Sequence, residues 1–511
     1  MRHGFEPGIC QIRRQRSFYF NRSRAEISPV LSRTDGINKL FQWEFMQLSK
    51  PRTLGELKAA VTRLPTVREE MRNNLIKKLK SGGELFPDLI GYSHTVKPEL
   101  INALLCGHNI IFLGERGQGK SRIIRDMVQL LDEEIPAVYG CPIHDNPFQP
   151  ICAECKDKLA ELGDMLPLEY VPRDRRLVEK LSTSDVSTAD LIGEVDPIKI
   201  ADGRTLDDES SIHFGLVPRA NRSIFAINEL PDLAEKIQVA FFNIMEENDL
   251  QIKGFPVRLP LDILLIATAN PEDYTNRGRI ITPLKDRFDV QIRTHYPKER
   301  DHEIQIMEQE ARSLNLDGYE TYMPRFMAQI LAEITFQARK STAINQHSGV
   351  SCRVSIRSYE AILGSALRRC IAIGENRRVP RISDIESVFP AIAGKLEMEY
   401  DVEDRNETEL LEDLSRRAIK FVFDTYFELQ QLSSIIQVFQ SGMVVTASQS
   451  QPSSHYIEFL DIIPGLKDTV DKLVDNSDPA LIASAVEFIF EGLHLSNKIN
   501  RDVVNEEVVY R

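Results

Sequence analysis

Ile110-Ile111-Phe112-Leu113-Gly114-Glu115-Arg116-Gly117-Gln118-Gly119-Lys120-Ser121 is the stretch on which the reading of this chain turns. Four apolar residues have the length and character of a strand buried on both faces, and they run straight into G-x-x-x-x-G-K-S. Glycines let backbone N–H groups curl around phosphate oxygens, and a following helix offers its N-terminus to the same anion. In such a loop Lys120 reaches the β- and γ-phosphates and the Ser121 hydroxyl ligates magnesium, while Gly114, Glu115, Arg116, Gly117, Gln118 and Gly119 form the cradle. Apolar residues at Ile123, Ile124, Met127, Leu130 and Leu131 predict a helix over Ser121–Leu131. A chance glycine-rich turn has no reason to carry a strand before it and a helix after it.

Downstream, Ser223-Ile224-Phe225-Ala226-Ile227 is a second apolar run and ends in Asn228-Glu229. Beside the loop, Glu229 can polarise an attacking water, and Asn228 stands where a magnesium-linked Asp is usual. Ile263–Ala269 ends at Asn270, whose amide suits a water held between Glu229 and a γ-phosphate. In Pro283-Leu284-Lys285-Asp286-Arg287-Phe288-Asp289, Arg287 taken alone is a surface ion pair with Asp286 or Asp289. Taken with the other elements it is a guanidinium offered to a neighbour's γ-phosphate. Asn109–Leu113, Ser223–Ile227, Ile263–Ala269 and Val290–Ile292 are the four buried strands expected, alternating with helices from about residue 84. That alternation predicts a doubly wound α/β core with a parallel sheet.

In this order and spacing the elements resemble AAA+ ATPases. Gly215-Leu216-Val217-Pro218-Arg219-Ala220-Asn221-Arg222-Ser223-Ile224 is similar to the segment that leads into the same strand in magnesium chelatase ATPase subunits. Asn270-Pro271-Glu272 is similar to that family's N-P-E, and MoxR-type proteins are its relatives. The resemblance covers roughly residues 84–400 and implies ATP and magnesium as cofactors. It makes Arg287 the arginine finger and Arg357, opening a lid helix, the second sensor, with Arg353 as the alternative. Phe86–Gly91, with Ile90 and Gly91, matches the segment that packs on adenine. Hairpin insertions are expected at residues 198–215 and Gln251–Pro260. A finger acting on a neighbour's nucleotide implies a homo-oligomeric ring, most simply a hexamer. Such relatives remodel or metal-load a client protein, commonly with a von Willebrand factor A-type partner.

One departure matters: Asn228 replaces the family's Asp and removes a negative charge near magnesium. Slow hydrolysis, and a nucleotide-switched scaffold, follow as the alternative. A true magnesium chelatase subunit acting on a porphyrin is the narrower alternative, against which the cysteine-bearing insert and the extended C-terminal region count.

That insert, residues 141–155, reads Cys141-Pro142-Ile143-His144, seven residues, then Cys152-Ala153-Glu154-Cys155. C-x2-H-x7-C-x2-C is zinc-site spacing, and four protein ligands leave no open position, so the role expected is structural. Free buried cysteines or a disulfide are the alternatives.

The 511 residues are 42% hydrophobic, enough for several cores, and the formal charge of −13 disfavours nucleic acid as a partner. No apolar run reaches about 18 residues, so no membrane span is expected. Seven cysteines are too few for a disulfide scaffold, and a reducing cytoplasm is the compartment expected. Residues 1–45, rich in arginine, read either as a targeting segment or as an extension ahead of a true start at Met46, the second being preferred. Residues 46–83 are expected to be helical, 84–297 the nucleotide-binding core, 298–400 a helical lid and 401–511 a helical C-terminal region. In detail, helix is expected at 53–80, 299–313, 323–340, 356–373 and 383–401, with no strand after 298. Glu399–Glu409 and Thr446–Ser454 are read as a charged separator and a polar linker. Phe421, Phe423, Tyr426 and Phe427 read as core.

Overall fold

The computed structural model describes residues 50–195, 211–247, 249–251, 258–270, 280–312, 316–346, 349–398, 407–475, 478–504 and 507–511. Residues 1–45, most of the 198–215 and Gln251–Pro260 hairpins, Pro271-Glu272 and most of the Glu399–Glu409 separator lie outside them.

The central sheet has five parallel strands: β1 (Ile110–Leu113), β2 (Leu177–Leu181), β3 (Ser223–Asn228), β4 (Ile263–Ala269) and β5 (Val290–Arg293), in the order β5-β1-β4-β3-β2. All four predicted runs are strands. Side chains alternate between two faces with the period of two that a pleated strand imposes. Ile110, Phe112, Ile224, Ala226, Leu264 and Ile266 enter one core. Ile111, Leu113, Phe225, Ile227, Leu265 and Ala267 enter the other. The first face is covered by Val67–Lys80, Val96–Cys106 and Lys120–Asp126, the second by Glu235–Glu247 and Thr282–Arg287. The helix expected at 121–131 is shorter, tightening at Met127 into a 3-10 turn.

The single helix expected over 53–80 is two, Leu54–Ala60 and Val67–Lys80. Pro65 biases Leu64 away from helix, and Thr66 with Glu69 forms a capping box that starts the second helix afresh. Within it, buried Glu70 forms a two-pronged pair with Arg176, Oε1–Nη1 2.7 Å and Oε2–Nη2 2.6 Å. Arg176 also donates to the Arg222 carbonyl, tying the starts of β2 and β3 to this helix.

Beyond the sheet come Arg300–Glu310, Arg325–Ala338 and Cys352–Ile373, then a 3-10 turn at Ile382–Val388 where a longer helix was expected. Glu407–Tyr426 and the almost wholly buried Pro479–Leu495 follow. A single hydrophobic core runs across the boundary drawn at residue 400, with Phe326 stacked on Phe488 at 4.6 Å. Phe423 and Phe427 belong to it, Tyr426 packs against it, and Phe421 is exposed beneath the Arg300 guanidinium.

Strands do not stop at 298. Glu320–Thr321 pairs with Arg377–Arg378, and Val445–Ala447, Glu507–Tyr510 and Arg501–Val504 form an antiparallel sheet. The linker expected at Thr446–Ser454 is therefore partly strand and partly buried. Its polar side chains serve as internal partners: Ser453 accepts from the fully buried Arg381 at 2.7 Å and donates to Glu375 at 2.7 Å. Among the described residues no helix is long and apolar enough to cross a membrane.

Candidate nucleotide-binding site

The glycine-rich loop leaves the carboxyl end of β1, and the Gly114 N–H still bonds to Ala269 of β4 at 3.2 Å. Gly114 has no room for a side chain, since a Cβ would lie 1.9 Å from Thr294 Oγ1 and 2.3 Å from Gln118 Oε1. Gln118 closes the loop on itself, its Oε1 accepting from the Glu115 N–H at 3.1 Å and the Thr294 hydroxyl at 2.8 Å. Gly117 and Gly119 take φ of 76° and 74°, conformations that side chains with a Cβ rarely adopt. Gly119 caps the helix opened by Lys120 and Ser121.

Lys120 Nζ donates to the Glu115 carbonyl at 2.9 Å, to Asn270 Oδ1 at 2.8 Å and to the Gly114 carbonyl. The bond to Asn270 joins the ends of neighbouring strands β1 and β4. Asn228 ends β3 on the other side of β4, and its Oδ1 accepts from Thr268 at 3.4 Å. Glu229 follows with a left-handed φ of 56°, held by its N–H to Thr268 Oγ1 at 3.0 Å. A non-glycine residue in that region costs on the order of 1–3 kcal/mol, and such strain clusters at functional sites.

These ends open into a cleft of about 780 Å³, whose wall includes Ile90, Gly91, Arg116–Ser121, Asn228, Glu229, Asn270, Arg353 and Arg357. Arg357 pairs with Glu360 and Arg353 is exposed, so both candidate sensors reach the cleft. Arg287 does not line it; the residue ends Thr282–Arg287 and its Nη1 donates to the Pro283 carbonyl at 3.4 Å.

Sequence reasoning passed over Tyr92, whose hydroxyl donates to the Gln118 carbonyl at 2.6 Å and to the His295 carbonyl at 2.9 Å. Burial raises its phenol above the ordinary range, keeping it a neutral donor. Tyr296 was also passed over. Its hydroxyl donates to the Arg116 carbonyl at 2.8 Å, and the Arg339 guanidinium stacks 4.4 Å over its ring. Arg339 in turn pairs with the buried Glu303 at 2.8 Å. At Gly117 a Cβ would fall 1.8 Å from Ser351 Oγ, the cap of Cys352–Ile373, so loop and lid touch backbone to side chain. No local pattern marks these aromatics; only the fold brings them to the loop.

In the cysteine-bearing insert the structure brings together Cys141, Asp145, Cys152 and Cys155, all buried, with ligand atoms within 4.8 Å of one another. His144, expected as the fourth ligand, is not of this group. Its backbone is left-handed (φ 52°), and its Nδ1 is buried without a hydrogen-bond partner. The three cysteines are free thiols, not a disulfide.

No family model matches the chain. It is similar to the magnesium-chelatase subunit ChlI of Anabaena variabilis, 27% identical over 205 residues, which are 39% of this chain and 56% of that protein. The magnesium-chelatase 38 kDa subunit of Cereibacter sphaeroides is 25% identical over 251 residues, 48% of this chain and 68% of that protein. The chain spans about half the length of most of these curated relatives. A solved complex of the magnesium chelatase subunits BchI and BchD aligns over 63% of this chain and 98% of the matched one, at 21% identity and a TM-score of 0.33. A parallel sheet of this order behind a glycine-rich loop is the P-loop core of AAA+ type, and the sequence likeness is to the I subunits of magnesium chelatase.

Proposed function

We propose that the chain binds and hydrolyses ATP and uses the cycle to remodel, or load metal into, a partner protein. The observation that carries this reading is the convergence of Lys120, Asn270, Asn228 and Glu229 on one cleft, from the ends of three adjacent parallel strands. Ser121 and Asn228 would hold magnesium, which would supply positive charge against the phosphates. Lys120 neutralises the phosphate oxygens from the loop side, Asn270 orients the lytic water, and Glu229 accepts its proton as the nucleophile forms. Ile90 and Gly91 take the adenine, and Arg357 with Arg353 reports the γ-phosphate to the lid.

Arg287, standing off the cleft of its own subunit, acts on the nucleotide of a neighbour, so the working form is a ring, most simply a hexamer. A von Willebrand factor A-type protein is the partner class we assign, and the reducing cytoplasm the compartment. The closed cysteine cluster adds a structural zinc, separate from catalysis. A second reading, a nucleotide-switched scaffold, is favoured by the neutral amide of Asn228 in place of a carboxylate.

Steady-state ATP hydrolysis with magnesium, measured beside Lys120→Ala and Glu229→Gln, tests the reading. Turnover that both variants reduce to background supports the motor. ATP binding with wild-type turnover no faster than that of Glu229→Gln supports the scaffold.

A further inference from the structure

The insert between the antiparallel strands Glu134–Val138 and Leu168–Pro172 is held by very little apolar surface. Its core is Leu54, Val138, Cys141, Ile143, Cys152, Cys155 and Leu166, and three of those seven are cysteines. A core that small needs a staple. Three thiols and a carboxylate stand where one is required.

Asp145 is fully buried, and its two oxygens are treated differently. Oδ2 accepts from the Ile151 N–H at 3.1 Å and the Cys152 N–H at 3.0 Å. Oδ1 is buried with no hydrogen-bond partner. A buried carboxylate oxygen without a donor is costly, and a cation on that side removes the cost. The backbone fixes the other ligands. Cys152 caps the helix Ala153–Leu162 and Cys155 lies in its first turn. Cys141 opens the turn whose end, Asp145, returns its N–H to Cys141 Sγ at 3.4 Å. Tetrahedral zinc with Zn–S near 2.3 Å spaces its sulfurs by about 3.8 Å, which atoms already within 4.8 Å of one another reach by small side-chain shifts.

The insert also grips the catalytic sheet from behind. The Ile143 carbonyl accepts from Asn221 Nδ2 at 3.1 Å, and the Pro136 carbonyl accepts from the buried Arg222 at 2.7 Å. Both residues immediately precede β3. Asn221 Oδ1 in turn accepts from the Asp262 N–H, just ahead of β4.

We propose that Cys141, Asp145, Cys152 and Cys155 bind one zinc ion, and that this ion braces the starts of the two strands whose far ends carry Asn228, Glu229 and Asn270. The proposal rests on the metal reading of the cluster and is independent of ATP turnover. Four protein ligands with no exposed face leave no site for water, so the ion is structural.

The test is metal analysis of the purified full chain, with zinc competition against a chelator and cobalt(II) substitution for the absorption of a tetrahedral thiolate site. We expect one zinc per chain in wild type and in His144→Ala, its loss in Cys152→Ser, and at least tenfold weaker binding in Asp145→Asn. Should Asp145→Asn not fold, Asp145→His restores a ligand and is expected to retain zinc. Chelation should speed amide exchange in the insert and at Ser223–Phe225, and unchanged exchange there would remove the bracing role. Wild type that neither contains nor takes up zinc overturns the metal reading as a whole. Zinc that survives Asp145→Asn but is lost in His144→Ala keeps the metal and overturns this ligand set.

Discussion

Replacing Glu70 with alanine should destabilise the nucleotide-binding core far more than removing a surface acid. Glu70 and Arg176 retain 3% and 1% exposure, and the carboxylate takes both guanidinium prongs together with the Asp132 N–H at 2.6 Å. In Glu70→Ala the guanidinium stays buried with only the Arg222 carbonyl to receive its donors, at 2.8 and 3.0 Å. Removing one partner of a buried pair costs about 3–5 kcal/mol, which at roughly 1.4 kcal/mol per decade is about two to four orders of magnitude in the local unfolding constant. Since the lid and C-terminal region have their own core, a single unfolding midpoint would mix two transitions. Amide exchange of β2 and β3 is the cleaner assay, because it reads opening of the affected unit alone. The double variant Glu70→Met/Arg176→Met, which buries no charge, should recover most of the loss. A cost below about 1 kcal/mol for Glu70→Ala, within the range of an exposed pair, would refute the reasoning by showing that Arg176 reaches water.

Gly117→Ala should weaken binding of a fluorescent ATP analogue more than Gly119→Ala: both pay the left-handed backbone cost, but only the first drives a Cβ into Ser351 Oγ, and equal losses would refute the contact. Ser351→Gly should rescue part of that difference. Asn228→Asp restores a carboxylate at the end of β3 and should lower the magnesium concentration for half-maximal turnover by roughly tenfold; no change would place the metal elsewhere. Burial, its largest influence, raises the Asp262 pKa above the ordinary carboxylate value against the Val67 N–H and the charges of Arg222 and Arg68. An acid with a higher pKa folded than unfolded lends stability below its unfolded pKa and loses it as pH rises through the folded one. Asp262→Asn should therefore gain on wild type as pH rises above the ordinary carboxylate value, read as the difference in core amide exchange after correction for intrinsic rates; a constant difference would refute it.

What could be read from the sequence follows from burial on two sides. β1, β3 and β4 are continuous apolar runs because neighbours flank them, and such runs stand out. β2 was missed because Leu177-Val178-Glu179-Lys180-Leu181 is an edge strand, partly exposed and interrupted by charge. The C-terminal sheet was missed for a related reason: Val445–Ala447 opens a run of serines and glutamines whose polarity signals solvent, whereas here Arg381 and Glu375 take up Ser453 inside the fold. The phosphate-loop residues and the strand-end polar groups were legible because their spacing is local. Tyr92, Tyr296 and Ser351 were not, since each meets the loop only through long-range packing. At the cysteine cluster, imidazole at C-x2-H spacing outweighed the neighbouring acid, which only the folded insert brings beside the three thiols.

Arg325–Ala338 packs along the 20-residue helix Glu407–Tyr426, and just beyond its end Arg339 joins Tyr296 and Glu303. The second helix is thus a pointer carried by the first, whose end reaches the glycine-rich loop through Tyr296. At 1.5 Å per residue such a pointer is roughly 30 Å long, so a turn of about 5° at the loop sweeps its tip through some 2.6 Å. Displacement of that size is large beside the tolerance of packed side chains, so a change at the loop would be felt wherever that tip is packed.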